Sequence, residues 1–303
     1  MIAAGIDLGG SKLEAQIFNA EWTCVDRLRV KTPTTYDSLL QTLQEAIDWI
    51  EGQDGNIPIG IGSAGLIVPQ TGIALTANLP ATGKSFPKDI AERAGRSITY
   101  VNDCRAFALS EAIFGSGRKY DVVMGMILGT GVGGGGVING HLLKNRAGVG
   151  GEFGHIQAPA SLVQAHNLPI LPCGCGRLGC IETLVSGPGL TRISEAVLGS
   201  PLSPQEVDLK RHNDEAVAGI FDIWCNLVVE LCLSIDYILN PDVIILGGGL
   251  SKIKDVDHAI SQALRNRQFD GFDGPEIKLA QGGDASGVRG AAYAAWQESQ
   301  RHA

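Results

Sequence analysis

Three cysteines, two glutamates and two histidines fall within Gly150–Glu182. Cys173, Cys175 and Cys180 form a C-x-C-x4-C run with glycine at 174, 176 and 179, so the backbone can turn tightly enough to aim three sulfurs at one centre. Three thiolates leave one corner of a tetrahedron for a further N or S ligand when a zinc site is structural. His155 is the first candidate because the small residues of Gly-Glu-Phe-Gly-His let a side chain reach a crowded site. His166 is nearer in sequence but lies in a Pro-flanked insertion that reads as loop. A redox pair is disfavoured, since C-x-C lacks the spacing and helix start of thioredoxin-like sites.

A second kind of chemistry sits in the glycines. Gly9-Gly10-Ser11-Lys12, Gly129-Thr130-Gly131 and Gly247-Gly248-Gly249 each follow an apolar run, and glycine there lets backbone N–H groups approach phosphate oxygens. Three such turns imply a nucleotide. Gly83-Lys84-Ser85 imitates the end of a P-loop, but Asn78 stands where its first glycine is needed. Gly129-x-Gly131-x-x-Gly134 matches a dinucleotide fingerprint by letter, yet it runs into the β-like Val137-Ile138 instead of opening a helix. Between the first two turns, Asn102-Asp103 ends an apolar run. A carboxylate at a strand end can accept a proton from an attacking hydroxyl. Asp103 is equally placed to cap a helix from Arg105 to Phe114.

These groups need strands and helices to hold them. The opening Ile2–Phe18 stretch reads as two strands about a glycine turn, with a third strand near Val25–Val30 and a helix over Asp37–Ile50 striped by Leu39, Leu43, Ile47 and Ile50. Strands follow near Ile57–Ile61 and Ile98–Val101, joined by a loop. Gly125–Thr130 then repeats the rhythm of Gly5–Gly10, and the recurrence predicts two related α/β lobes. We expect a small lobe of residues 1–117 and 288–303 carrying the first turn and Asp103, and a large lobe of residues 118–287 carrying the other turns and the cysteines. A long apolar helix is expected over Asp214–Leu239, a strand over Val243–Leu246, and a helix over Ser251–Leu264. A last helix, Gly287–Gln297, should return to the first lobe.

Composition narrows the class. With 303 residues, 44% hydrophobic and 18% charged, the chain can build two cores. A net charge of -8 without any basic stripe argues against nucleic acid. No run of eighteen apolar residues and no leader pattern precede the first strand, so a cytoplasmic protein without a membrane span is the expectation. Cys24, Cys104, Cys225 and Cys232 sit among apolar residues and should be reduced thiols.

GIDLGGSK, VNDCRAFALSEA, LGTGVGGGG, GGEFGH, CGCGRLGCIE and LGGGLS, in this order, resemble the ROK family of bacterial sugar kinases and sugar-responsive repressors over essentially the whole chain. The resemblance implies a two-lobed, actin-like α/β fold of the ribonuclease H type, with ATP and sugar in an interlobe cleft and a homodimeric assembly. It implies Asp103 as catalytic base, and Gly65, Asn78, Asn102, Glu152, His155 and Glu182 as sugar contacts. It places Asp7 at a Mg2+ ion and Gly9, Gly10, Ser11, Lys12, Gly129, Thr130, Gly131 and the Gly247–Gly249 turn about ATP, and it implies Zn2+ held by His155, Cys173, Cys175 and Cys180. Ser11 replaces the usual threonine and keeps the hydroxyl.

The seventeen residues between His155 and Cys173, the Thr76–Pro80 stretch and Gly154–Gln157 are similar to bacterial N-acetylglucosamine kinases. Leu66 stands where N-acetylmannosamine kinases resemble one another in carrying arginine. N-acetylglucosamine phosphorylated at O6 is therefore the expected reaction, with glucose, then fructose or mannose, as alternatives. A regulator of the family would carry a helix-turn-helix ahead of the first strand. A zinc-dependent sugar-binding module without catalysis would not need Asp103 and three glycine turns.

Overall fold

The computed structural model describes residues 1–76, 78–283 and 286–302. Ala77, inside the Thr76–Pro80 stretch, lies outside them. The chain divides into two compact units. The first comprises Met1–Gly115, Gly140–Gly150 and Gly282–Ala303; the second comprises Ser116–Asn139 and Gly151–Gln281.

The sheet of the first unit runs in the order Cys24–Lys31, Lys12–Phe18, Ala3–Leu8, Ile59–Ser63, Thr99–Asn102. The first three strands are antiparallel neighbours, and the last two lie parallel to Ala3–Leu8. Period-two alternation puts Leu13, Ala15 and Ile17 on one face. There they meet the stripe Leu39, Leu43, Ala46, Ile47 and Ile50 of the helix Tyr36–Gln53. Burial of each such side chain contributes about 1.5–3 kcal/mol. The opposite face takes the helix Ser286–His302 at backbone distance. A Cβ on Gly5 would stand 2.0 Å from Val288 O, and one on Gly60 2.0 Å from Ala291 O. The small buried side chains of Ala291, Ala292 and Ala295 permit the approach, and the helix packs in the first unit.

The second unit repeats the scheme. The strand Val122–Leu128 pairs antiparallel with Val132–Ile138 and parallel with Val243–Gly247, which pairs parallel with Glu276–Leu279. The helix Glu215–Leu239 is its core. By length and composition it could cross a membrane, but 67% of its most apolar window is buried, so its apolarity belongs to the interior. Trp224 at its centre is fully buried, and the indole N–H donates to Val185 O at 2.9 Å.

Several local expectations need correction. The stretch between Ser63 and Thr99 is not only loop: it holds a hairpin, Leu66–Ile67 with Ala74–Leu75, and a helix Phe86–Ala94 begun by Pro87 and ended by left-handed Gly95. Ser251–Leu264 is not one helix. A short 3-10 turn, Leu250–Lys252, and Asp255 at φ 55° precede the helix Val256–Arg265. The insertion carrying His166 contains the short helix Ala160–Ala165. Helices Gly187–Leu198 and Pro204–Lys210 had no expectation at all. Cys24 is exposed, not apolar in its surroundings, with its thiol donating to Asp26 O at 3.4 Å.

Candidate active site

In the first unit, the strand Ala3–Leu8 delivers Asp7 and then Gly9-Gly10-Ser11. The turn is closed by Gly9 N–H donating to Lys12 O at 3.0 Å and braced by the Thr32 hydroxyl on Gly9 O at 2.6 Å. Gly10 is required by close approach, because a Cβ there would lie 2.7 Å from the Asn78 Cβ. Gly287 lies against Asp7, its added Cβ 3.3 Å from the Asp7 carboxylate. Lys12 turns its ammonium to Glu14, 3.6 Å away.

Asn102 ends the strand Thr99–Asn102 and is the N-cap of the helix Asp103–Phe114. Its side-chain oxygen accepts from the amides of Cys104 and Arg105. Its amide nitrogen donates to Gly65 O at 3.1 Å. Gly65 itself needs glycine: at φ 107° an added Cβ would meet Leu75 O at 2.5 Å. Because Asn102 takes the cap, Asp103 is not consumed by it. One Asp103 oxygen accepts from the Cys104 amide at 2.9 Å. Burial pushes its carboxyl above the usual aspartate range, against the amide hydrogen bonds that pull it down. Tyr100, two residues before the cap, has its phenol pushed up to about 12 by burial; its hydroxyl is enclosed without a well-formed hydrogen bond.

In the second unit, Gly129-Thr130-Gly131 is closed one residue tighter than the first turn, with Gly129 N–H donating to Gly131 O at 3.0 Å. Two neighbours brace it. Gly187 N–H donates to Gly129 O at 2.8 Å, and Gly248, at φ 85°, approaches Leu128 so closely that a Cβ would stand 2.5 Å from Leu128 O. The structure therefore brings the Gly247–Gly249 turn beside the Gly129–Gly131 turn.

The metal candidates converge. His155 Nδ1 or Nε2 and the sulfurs of Cys173, Cys175 and Cys180 all lie within 4.8 Å of one another. Cys175 and Cys180 sulfurs are 3.5 Å apart, and Cys173 Sγ is 3.5 Å from His155 Nδ1. Zn–S bonds of about 2.3 Å in a tetrahedron put sulfurs about 3.8 Å apart, so this donor set fits zinc. His166 is not in the cluster. Hydrogen bonding to the Arg177 backbone pulls the exposed Cys175 thiol down, while burial pushes Cys173 up. The other ring nitrogen of His155, Nε2, faces Glu152 Oε2 at 3.5 Å. Glu182 stands between the cluster and the phosphate-type turn: Oε1 is 3.7 Å from Cys173 Sγ, and Oε2 accepts from the Val132 amide at 2.8 Å.

Sequence reasoning missed the Val132 amide, which no side chain advertises, and Arg105, a buried cation two residues after Asp103. A charged residue within an apolar helix start was the available signal for the second.

The description "ROK family" matches residues 3–298. An N-acetylgalactosamine kinase of Shewanella sp. (strain ANA-3) is 40% identical over 292 residues, covering 95% of this chain and 94% of that protein. An N-acetyl-D-glucosamine kinase of Pectobacterium atrosepticum is 38% identical over 296 residues, covering 95% and 97%. Among solved structures, a ROK hexokinase from Thermus thermophilus is 27% identical with a TM-score of 0.87, covering 99% of this chain and 100% of that one. A ROK family glucokinase from Streptomyces griseus, in complex with glucose and AMPPNP, is 26% identical with a TM-score of 0.76, covering 98% and 100%.

Proposed function

The chain belongs to the ROK family and is an ATP-dependent sugar kinase with that family's two-lobed, actin-like α/β fold, and we propose that its substrate is an N-acetylhexosamine, N-acetylglucosamine first, phosphorylated at O6. Two relatives at 38–40% identity act on sugars that share a 2-acetamido group and differ at C4. N-acetylgalactosamine is the second reading, favoured by the 40% relative. The observation that carries the kinase chemistry is the division of labour between Asn102 and Asp103: the first caps the helix, which leaves the second as a half-buried carboxylate of raised pKa.

A sugar hydroxyl is a poor nucleophile at neutral pH. Asp103 accepts its proton as the γ-phosphoryl of ATP is transferred, and most of the remaining work is positioning. Asn102, Gly65, Asn78, Glu152, His155 and Glu182 hold sugar hydroxyls. The backbone amides of the Gly9–Lys12 and Gly129–Gly131 turns hold phosphate oxygens, with the Gly247–Gly249 turn at the nucleotide. Asp7 would hold Mg2+, which when bound neutralises phosphate charge. His155, Cys173, Cys175 and Cys180 would hold Zn2+, which when bound through Nδ1 fixes His155 as a donor at Nε2. Homodimeric assembly and a cytoplasmic location belong to the same proposal; light scattering at twice the 31.8 kDa chain mass tests the first.

The deciding experiment is ADP release with N-acetylglucosamine, N-acetylgalactosamine, glucose, mannose, fructose and N-acetylmannosamine, for the wild type beside Asp103→Asn. The highest kcat/KM is expected on an N-acetylhexosamine, with turnover in the variant reduced about 10²- to 10⁴-fold at near-normal sugar affinity. A variant that keeps most of its rate removes Asp103 as the base.

A further inference from the structure

The strand Thr99–Asn102 is the outer strand of the first unit's sheet, and a cavity of about 410 Å3 runs along it. Its wall is mostly apolar, with Leu66 and Ile67 from the hairpin, Val101 from the strand and Leu142 from the Gly140–Gly150 segment. Arg105 lines it as well and is only 8% exposed. Among the described residues the guanidinium has one acceptor, Leu143 O at 2.6 Å, and no carboxylate at ion-pair distance. Arginine carries five N–H donors and stays charged when buried. No Arg105 nitrogen is enclosed without a partner, so its remaining N–H groups open onto the cavity, where the acceptors of a bound ligand can meet them.

The same cavity is lined by Gly65 and Asn102, both proposed above as sugar contacts. A substituent on a sugar held there can reach the apolar wall and the guanidinium together. We infer that this cavity is the pocket for the sugar's 2-acylamino group, with Arg105 donating to the acyl oxygen and Leu66, Ile67 and Leu142 packing against the acyl chain. The inference rests on the N-acetylhexosamine kinase reading and adds a specificity-determining residue to it. An acetyl group leaves most of the 410 Å3 open, so N-propanoyl and N-butanoyl glucosamine are accepted too. A lost hydrogen bond to a charged donor corresponds to about 10- to 100-fold in affinity.

The test compares kcat/KM for N-acetylglucosamine and glucose in the wild type, Arg105→Met and Arg105→Lys, and for N-butanoylglucosamine in the wild type and Leu142→Trp. Arg105→Met should lower the N-acetylglucosamine-to-glucose ratio about 10- to 100-fold, mainly through KM, with partial recovery in Arg105→Lys. Leu142→Trp should exclude the butanoyl sugar while retaining N-acetylglucosamine. A folded Arg105→Met enzyme with equal losses on both sugars overturns the inference, as does unimpaired use of the butanoyl sugar by Leu142→Trp. If Arg105→Met fails to fold, the Leu142→Trp arm decides alone. A wild type that prefers glucose instead sinks the N-acetylhexosamine reading, and the inference with it.

Discussion

Glu182 accepts a hydrogen bond from the backbone amide of Val132 at 2.8 Å, which ties a residue two beyond the C-x-C-x4-C run to the strand leaving the Gly129–Gly131 turn. The other Glu182 oxygen lies 3.7 Å from Cys173 Sγ. One side chain therefore sets the distance between a metal-binding loop and a phosphate-type turn within the second unit. Glu182→Ala strips the Val132 amide of its acceptor at a cost of about 1–3 kcal/mol. It should raise KM for both ATP and sugar, whereas Glu182→Gln, which keeps an acceptor oxygen, should raise mainly the sugar KM. Equal effects of the two variants on ATP would refute the tie.

The raised pKa of Asp103 has a kinetic and a thermodynamic sign. As the proposed base, Asp103 must be ionised, so kcat/KM should fall on the acid side at a pH above the ordinary aspartate range, and that limb should vanish in Asp103→Asn. For stability, the folded state holds the proton more tightly than the unfolded chain. The penalty is absent below the unfolded pKa and complete once pH has risen through the folded pKa. Asp103→Asn should therefore raise Tm at pH 7, with the gain shrinking as the pH approaches 4. A Tm gain that is constant with pH would contradict this.

How much of this was legible in the residues depended on what carried the signal. The glycine turns and the cysteine knuckle could be read because their residue types are rare in that spacing, and the structure gathers His155 and the three cysteines in one place. Asn102 was legible as a polar residue at a strand end, but its role as cap was not, since Asp103 satisfies the same rule. The helix Phe86–Ala94 escaped because the stretch before it is rich in small and turn-forming residues, although Pro87 and Gly95 mark its two ends. The break at Asp255 was hidden by continuous apolar spacing across Ile253, Val256 and Ile260, which three- and four-residue intervals preserve whether or not the helix is unbroken. The long strand Val132–Ile138 was legible only at its β-like end, Val137-Ile138, because its four glycines argue against a strand.

Those glycines have a packing reason. A Cβ on Gly134 would stand 1.9 Å from Gly125 O on the paired strand and 2.5 Å from the ring of Phe153. Phe153 belongs to the Gly-Glu-Phe-Gly-His segment, so the bare strand is the surface on which Glu152 and His155 are seated. Gly134→Ala forces a backbone shift of the overpacking kind, about 1–3 kcal/mol. It should lower the urea midpoint and raise the sugar KM together, and Phe153→Leu in the same chain should recover part of both. Recovery of neither would mean that the strand pairing alone demands glycine.

Metal removal separates the role of the cluster from that of the core. Cys175 is exposed while Cys173 and Cys180 are buried, so Cys175→Ser removes one ligand without opening a cavity. We expect about one zinc per chain in the wild type and loss of that zinc in the variant, measured by elemental analysis. Ring orientation is the quantity at stake. Without the metal on Nδ1, His155 can take either tautomer, and Nε2 need no longer present a proton toward Glu152, 3.5 Å away. Sugar binding should weaken in parallel with zinc loss, while ATP binding, proposed to draw on the Gly129–Gly131 turn, should change less. Chelation of the wild type should reproduce the variant and zinc return should reverse it. Metal-free protein that bound sugar with unaltered affinity would show the cluster to be a brace for the loop and nothing more.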